Sequence, residues 1–451
     1  MKVVVIGGGI AGLAAARRLE ALLEHVEVIL VERTHRLGGK LLSEEVDGFL
    51  IEGAADSFLS RKARGIGLCE EIALDDELIG RRPEHARSFV RIGRELHVLP
   101  EGLTGLIPTN LEALEDSSLL SKEGRERLAA EVDVPPAPSG ADESIASFIS
   151  RRFGRETYER IIEPLMAGIY GGDGEQLSLG ATFPQLRSLE LEHGSVLRGL
   201  AEQAPAESRH PPFVSLRSGM QTLADRLAAT LEHTAVHACR PTAIRGLPGG
   251  FVIDCGDTVQ ADGVVIAAPA HSASDLLAEL DSELADLLDD IPYADSAIVT
   301  LGYRLGDVPH PLDGYGYVVP ASEGSDVLAC TWSSSKWEGR APEGSALLRV
   351  YLRRIPRGSD DLLVEVARAE LGLLGIVAEP VVARVHRWPR GIPQYVLGHP
   401  DRLERIEAAL SEHPGLALAG AAYRGVGIPD CIRSGEEAAE SVVRAVAGAA
   451  A

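Results

Sequence analysis

Three features of the 451-residue sequence predict an α/β fold in which a Rossmann-like dinucleotide-binding domain is interleaved with an α+β domain and a helical subdomain. The chain opens on a β-branched run, Lys2 to Ile6, that ends in glycines and passes into apolar residues at helical spacing. Short alternating stretches beyond residue 293 predict a second sheet. A strand-like run at 415–423, followed by a loop entering a helix, predicts a return of the chain to the first domain.

In order, residues 2–6 read as a strand, 7–12 as a tight turn and 11–23 as a helix, and Val26 to Val31 is a second strand ending at Glu32. This completes a βαβ unit. A loop carrying Leu37-Gly38-Gly39-Lys40 follows. From about 85 to 200 the pattern is mainly helical, broken by the Pro-rich stretch 134–143, which cannot continue a helix. A second break, 203–213, precedes a helix over 219–231 and short strands at 235–245, 251–255 and 263–267. Strands are then expected between 293 and 352 and a helix near 359–371. Pro429 suits an early position of the last helix.

Composition bounds the function. Hydrophobic residues at 45% and charged residues at 25% are ordinary for a globular protein, and the length allows about two or three domains. With 67 acidic against 44 basic residues the net charge is −23, which opposes phosphate backbones and excludes nucleic acid as a main partner. The five cysteines, Cys69, Cys239, Cys255, Cys330 and Cys431, form no CxxC pair and are expected as reduced thiols of a cytoplasmic protein; no metal site is expected. No stretch approaches about 18 uninterrupted apolar residues, so no transmembrane helix is predicted, while peripheral membrane contact stays open.

The chemistry-bearing signal is Gly7-x-Gly9-x-x-Gly12 directly after a strand, with Glu32 about twenty residues further on. Gly7 permits the turn, Gly9 lets the backbone approach a pyrophosphate, Gly12 lets helix and strand pack closely, and Glu32 accepts ribose hydroxyls. The fingerprint alone does not separate NAD from FAD. The cluster at 37–40 resembles the RxGG element of two-domain flavoprotein oxidoreductases and points to FAD. The GVGIP stretch at 425–429 opens the last helix, where backbone N–H groups favour negative charge on a flavin ring.

Longer stretches carry a closer resemblance: GGGIAGLAAA at 7–16, ADSFLSRK at 55–62, IIEPLMAGIYGGDGEQLSLGATFPQL at 161–186 and SGMQTLADRL at 218–227. They continue with YADSAIVTLGY at 293–303, CTWSSSKWEGRAPEG at 330–344, RWPRGIPQYVLGH at 387–399 and YRGVGIPDCI at 423–432. Together they span most of the chain and resemble the FAD-dependent porphyrinogen oxidases of haem biosynthesis, in the monoamine-oxidase and phytoene-desaturase fold group. CTWSSSKW and IPQYVLGH look most like the Gram-positive-type branch, which oxidises coproporphyrinogen III. The resemblance implies a six-electron dehydrogenation of a porphyrinogen, with molecular oxygen reoxidising FAD and hydrogen peroxide as co-product.

It also implies site residues. FAD contacts carry over to Gly7, Gly8, Gly9, Ile10, Ala11 and Gly12, to Glu32, Arg33 and Lys40, to Ala54, Ala55, Asp56 and Ser57, and to Val236, Trp388, Val426, Gly427 and Ile428. Gly168 matches a position whose carbonyl stabilises cationic character in the reacting ring; it is the catalytic candidate. Arg61 and Lys62 match a propionate anchor, Tyr315 and Val318 wall the porphyrin pocket, and Arg353, standing where the family commonly has glycine, is expected as an additional anchor. A second departure is Ala54-Ala55 before Asp56-Ser57; a Cβ at Ala54 would crowd the flavin if φ there were positive. Arg64, Arg81, Arg82, Arg87, Arg91 and Arg94 make the neighbouring segment basic. His386 and His399 read as structural histidines.

The expected FAD-binding domain comprises 1–80, 205–275 and 386–451, with a mainly helical subdomain at 81–204 and a sheet-containing substrate domain at 276–385. Alternatives are a protoporphyrinogen IX oxidase, a flavin amine oxidase or carotenoid desaturase of the same fold, and a non-catalytic FAD-binding scaffold. A transient haem-pathway partner stays open.

Overall fold

A computed structural model of the protein describes residues 1–23, 25–104, 106–115, 117–138, 140, 142–203 and 209–449. The breaks expected at 134–143 and 203–213 lie partly outside these residues. The first strand, Lys2–Ile6, pairs in parallel with Glu27–Glu32 on one side and Gly263–Ile266 on the other. Thr234–Ala238 and Leu416–Leu418 extend the two edges, also in parallel. In chain order the strands read 3-2-1-4-5, so the winding reverses between the first strand and the fourth, where doubly wound sheets bind ligands.

Successive side chains of the first strand serve opposite layers. Val3 and Val5 enter a core shared with Ile10–Leu22, Ala63–Glu71, Gln221–Ala229 and the last helix; Val4 and Ile6 enter another with Ile244, Phe251, Leu277 and Leu284. A strand buried on both faces has no polar side, which is why it reads as an unbroken apolar run. The last helix, Ile428–Ala449, lies against Ile10–Leu22 at backbone distance. A Cβ placed on Gly435 would stand 2.0 Å from the Ala11 carbonyl oxygen, so this crossing requires glycine.

An antiparallel meander, Ala243–Leu247, Gly250–Cys255 and Asp257–Ala261, sits in the crossover to the fourth strand. It corrects the expectation of five reduced thiols. Cys239 and Cys255 are joined by a disulfide, with Cα atoms 5.9 Å apart, because the edge strand and the second meander strand end side by side. Cys69, Cys330 and Cys431 are free and buried, and burial pushes the Cys69 and Cys431 thiols up to about 12.

The second sheet has seven strands in the order Val382–Pro393, Tyr293–Arg304, Ser345–Leu352, Val327–Trp332, Gly316–Val318, Phe89–Ile92 and Glu95–Val98. Two strands therefore come from the segment expected to be mainly helical. The buried Arg91 holds them: its Nε lies 2.7 Å from Glu370 Oε1 on the helix Asp360–Gly372, and the Tyr317 hydroxyl donates to the same carboxylate at 3.0 Å. The rest of that segment packs helices around Phe148, Phe153, Ile161 and Met166. Beside them the fully buried Arg152 donates through Nε to Glu131 at 2.6 Å, and Glu131 also accepts from the amides of Val196 and Leu197. No described helix is long and apolar enough to cross a membrane.

Gly435→Ala forces the last helix away from Ile10–Leu22. It is expected to cost about 1–3 kcal/mol, read as a lower midpoint in urea unfolding without a change of slope.

Candidate functional site

The first strand and the fourth end at Ile6 and Ile266, and the glycine turn fills the gap between them. Gly7 has φ of 109°, and a Cβ there would stand 2.7 Å from the Ala267 carbonyl oxygen; at Gly12 it would stand 1.8 Å from that of Gly7. Both glycines serve turn and packing. Gly9 differs, because the nearest atom to a Cβ there is Gly39 Cα at 4.0 Å, which leaves its outer face open to a ligand. Ile10 and Ala11, buried, begin the helix behind it.

The two glycine clusters form one wall. Gly38 N donates to the Gly8 carbonyl at 2.8 Å, and Gly9 and Gly38 form a bridge. Arg36 pins the second turn, donating to Leu41 O and Gln221 Oε1, both at 2.7 Å, and to the Gly39 carbonyl. At the end of the second strand Glu32 accepts from Gly8 N at 2.9 Å and from Thr34 N at 2.9 Å, and a carboxylate retains lone pairs for further donors. Arg33 beside it is exposed, and Val236 on the neighbouring strand is 51% exposed, an apolar surface next to that carboxylate. Lys40 is bound through its ammonium to the Gly391 carbonyl, with no carboxylate partner among the described residues; desolvation by the protein around that ammonium pulls its pKa down.

The loop 53–57 carries the tightest electrostatics. Gly53 O accepts from Trp388 Nε1 at 2.8 Å, and Ala55 is exposed. Among non-glycine described residues only Asp47, Ala73, Leu312 and Arg390 have positive φ, so the alanine at 54 carries no backbone strain. Asp56 Oδ2 receives Lys336 Nζ at 2.9 Å and Trp337 Nε1 at 3.1 Å, with Arg349 Nη1 at 3.5 Å; Ser57 Oγ donates to Oδ1 at 2.8 Å. Burial by itself would raise the Asp56 pKa, but the charges of Lys336 and Arg349 and the hydrogen bonds to it outweigh that and hold it well below the usual carboxylate range. Burial draws Lys336 down despite Asp56, helped by the like charges of Arg349 and Arg81. Lys336, Trp337 and Arg349 have no role in the sequence reading. Their signal was a charge inside the apolar strand LLRVYL and the Lys-Trp pair closing CTWSSSKW.

Just before the last helix Gly425 N donates to the Tyr395 hydroxyl at 2.8 Å, which donates to Ala421 O at 2.6 Å. Val426 and Gly427 are half-buried, and Ile428 starts the last helix. His399 and His386 are both held by protein groups: His399 Nε2 lies 3.0 Å from Tyr423 O with its ring stacked on Tyr395, and burial lowers it to about 4, while His386 meets Glu44.

Of the substrate candidates, Gly168 is exposed near the end of the helix Glu163–Tyr170, and a Cβ there would meet nothing within 4 Å. Tyr315 and Val318 are half-buried, the latter packed on the helical core. The cations are placed differently from expectation. Lys62 pairs with Asp430 at 2.5 Å, and Arg353 pairs with Glu163 at 3.0 Å while donating to Val319 O at 2.8 Å, so both charges are satisfied within the protein; Arg61 is exposed.

The sequence pattern of the family described as "Flavin containing amine oxidoreductase" matches residues 10–443. Coproporphyrinogen III oxidase of Bacillus subtilis (strain 168) is 35% identical over 97% of this chain and 96% of its own length. Protoporphyrinogen oxidase of Bos taurus is 32% identical over 98% of both chains. A crystal structure of a protein given the name protoporphyrinogen oxidase, from Exiguobacterium sp. 255-15, superposes with a TM-score of 0.87 at 31% identity, covering 98% of each chain.

Asp56→Asn leaves Lys336 and Arg349 buried without their counter-charge and is expected to cost about 3–5 kcal/mol at neutral pH. Because the folded-state pKa of Asp56 is depressed, its stabilisation is complete above the unfolded value, about 4, and is lost as pH falls through the folded value. Urea unfolding of both proteins is expected to give a constant gap above about pH 5 that narrows below about pH 4.

Proposed function

Because the chain belongs to the flavin-containing amine oxidoreductases and, within them, to the porphyrinogen oxidases, we propose that it oxidises coproporphyrinogen III to coproporphyrin III in haem biosynthesis, using molecular oxygen and releasing hydrogen peroxide. The protein is an FAD-dependent oxidoreductase. The observation that carries the choice of substrate is the near full-length likeness to the Bacillus coproporphyrinogen III oxidase.

The groups around the glycine turn suit FAD by their own chemistry. The open face of Gly9 and the ammonium of Lys40, which has no carboxylate partner among the described residues, suit a pyrophosphate, Glu32 and Arg33 a ribose, and the exposed face of Val236 a flat apolar ring. The amides of Val426, Gly427 and Ile428 would meet the flavin at the positive end of the last helix. Ala54 to Ser57, held from behind by Lys336 and Trp337, and Trp388, bound to Gly53, would line its other side. Bound there, FAD supplies hydride acceptance from an activated bridging carbon.

The protein's own part is to place a large ring and favour the charge it develops. Gly168 stands in the last turn of its helix, where Gly171 N takes the Ala167 carbonyl at 2.7 Å and no described donor reaches the Gly168 carbonyl. A free carbonyl at the negative end of a helix favours cationic character in a ring above it. The glycine leaves room for that approach, since even a Cβ there meets nothing. Tyr315 and Val318 wall the same cleft in this reading.

A second reading, protoporphyrinogen IX as substrate, is favoured by the bovine likeness. Aerobic turnover followed by porphyrin fluorescence and peroxide decides between them. Faster oxidation of coproporphyrinogen III with about three peroxides per porphyrin is expected; preference for protoporphyrinogen IX selects the second reading, and oxidation of neither overturns both. Gly168→Val fills the space over that carbonyl and is expected to lower kcat/KM by about a hundredfold while flavin absorbance stays that of the parent protein.

A further inference from the structure

The basic segment that follows the strand Leu78–Gly80 spends most of its charge internally. Arg82 pairs with Glu84 at 2.7 Å and Arg87 with Asp313 at 2.6 Å, as Lys62 and Arg353 pair with carboxylates of their own. Arg61 has no partner among the described residues, but it is exposed and nothing holds it in one geometry. Arg81 is different. Its guanidinium lies 4.8 Å from the ring centroid of Phe213 and 4.7 Å from that of Tyr315, and no hydrogen bond or ion pair to a described residue reaches it.

Backbone pairing places both residues, and a hydroxyl bond also fixes the Tyr315 ring. Val214 pairs with Gly80 in an antiparallel ladder, which puts Phe213 opposite Arg81 at the next position. The Tyr315 hydroxyl donates to Arg82 O at 2.9 Å and its amide to Arg87 O at 2.7 Å. Rings hold a guanidinium through its flat faces; its five N–H donors point outward in the plane and stay unfilled. A half-buried cation with empty donors is costly unless an anion completes it, and burial pulls the Arg81 pKa down. The Asp56 carboxylate, which acts on it at longer range, is committed to Lys336 and Trp337. The place is also right: Arg82 N donates to Lys336 O at 3.0 Å, so Arg81 stands where the second sheet meets the loop 53–57.

We propose that Arg81, held by Phe213 and Tyr315, is a carboxylate seat that receives one propionate side chain of the macrocycle. The seat rests on the porphyrinogen reading above and adds to it the residue that fixes the ring's orientation. A planar guanidinium edge matches a carboxylate through two parallel hydrogen bonds, and a clamped one loses little freedom on binding.

The test measures binding of coproporphyrin III and of its tetramethyl ester to oxidised, FAD-loaded protein by flavin and porphyrin fluorescence. Arg81→Gln is expected to weaken coproporphyrin III by about ten- to a hundredfold, with flavin content and Tm held, while the ester binds both proteins alike. Arg81→Lys keeps the charge but not the fork; it is expected to recover part of the affinity and serves as the deciding variant should Arg81→Gln fail to retain FAD. Parental affinity in the variant that folds, or equal loss for acid and ester, overturns the seat alone. A parent protein that binds neither coproporphyrin III nor protoporphyrin IX overturns the functional reading and the seat with it.

Discussion

A buried carboxylate that keeps its charge must be surrounded by donors, and Asp56 meets that requirement by drawing on both halves of the molecule. It belongs to the loop leaving the hairpin strand Phe49–Glu52, whereas Lys336, Trp337 and Arg349 come from the second sheet and the short helix attached to it. The interaction is also directional: Arg349 donates to the Ala54 carbonyl as it approaches Asp56, so side chain and backbone of the loop are set together. Arg340 extends the same logic one layer deeper, donating to Ser215 Oγ at 2.9 Å and Leu216 O at 2.8 Å, while Ser215 donates to Asp56 O at 2.6 Å. Breaking such a pair on one side leaves an unpaired charge in low dielectric, which is why the cleft wall and the junction of the two sheets stand or fall together.

The opposite wall is built from the absence of side chains. Gly7, Gly12 and Gly435 each sit where a Cβ would collide with a carbonyl oxygen, and Gly38 holds φ of 99°. These contacts bring two helices and two turns to one end of a parallel sheet, close enough for amide groups of separate segments to face the same volume. Glycine there is destabilising by itself, since it gives up more freedom on folding, and the apolar layers on both faces of the sheet offset that cost.

Charge is distributed to the same end. A chain with net charge −23 repels a polycarboxylate at long range, so local cations must supply the attraction. Several of those nearby are neutralised by neighbours, whereas Lys40 has no carboxylate partner among the described residues and Arg81 is held there by two rings alone. Two separate cationic points suit a site that takes a phosphate-bearing cofactor on one side and a carboxylate-bearing substrate on the other.

The βαβ start, the glycine turn with Glu32, the strands beyond 293 and the last helix with Pro429 in its first turn were legible because each rests on local rules: period two, period 3.6, or a residue type needed for one backbone angle. The three-dimensional arrangement decided the rest. Arg353 and Lys62 read as free anchors until Glu163 and Asp430 were found beside them, nearly 200 and more than 300 residues away in the chain. Cys239 and Cys255 lie close in sequence, yet only the alignment of two strand ends joins them. The hairpin of Phe89–Ile92 and Glu95–Val98 was hidden in a helical segment, because it joins a sheet only where the distant strand Gly316–Val318 pairs with Phe89–Ile92. The sequence by itself determined the βαβ start and the dinucleotide-binding signature, since those depend on neighbours along the chain. Which charges are spent and which remain for a ligand depends on partners brought in by tertiary packing, and no local pattern encodes that choice.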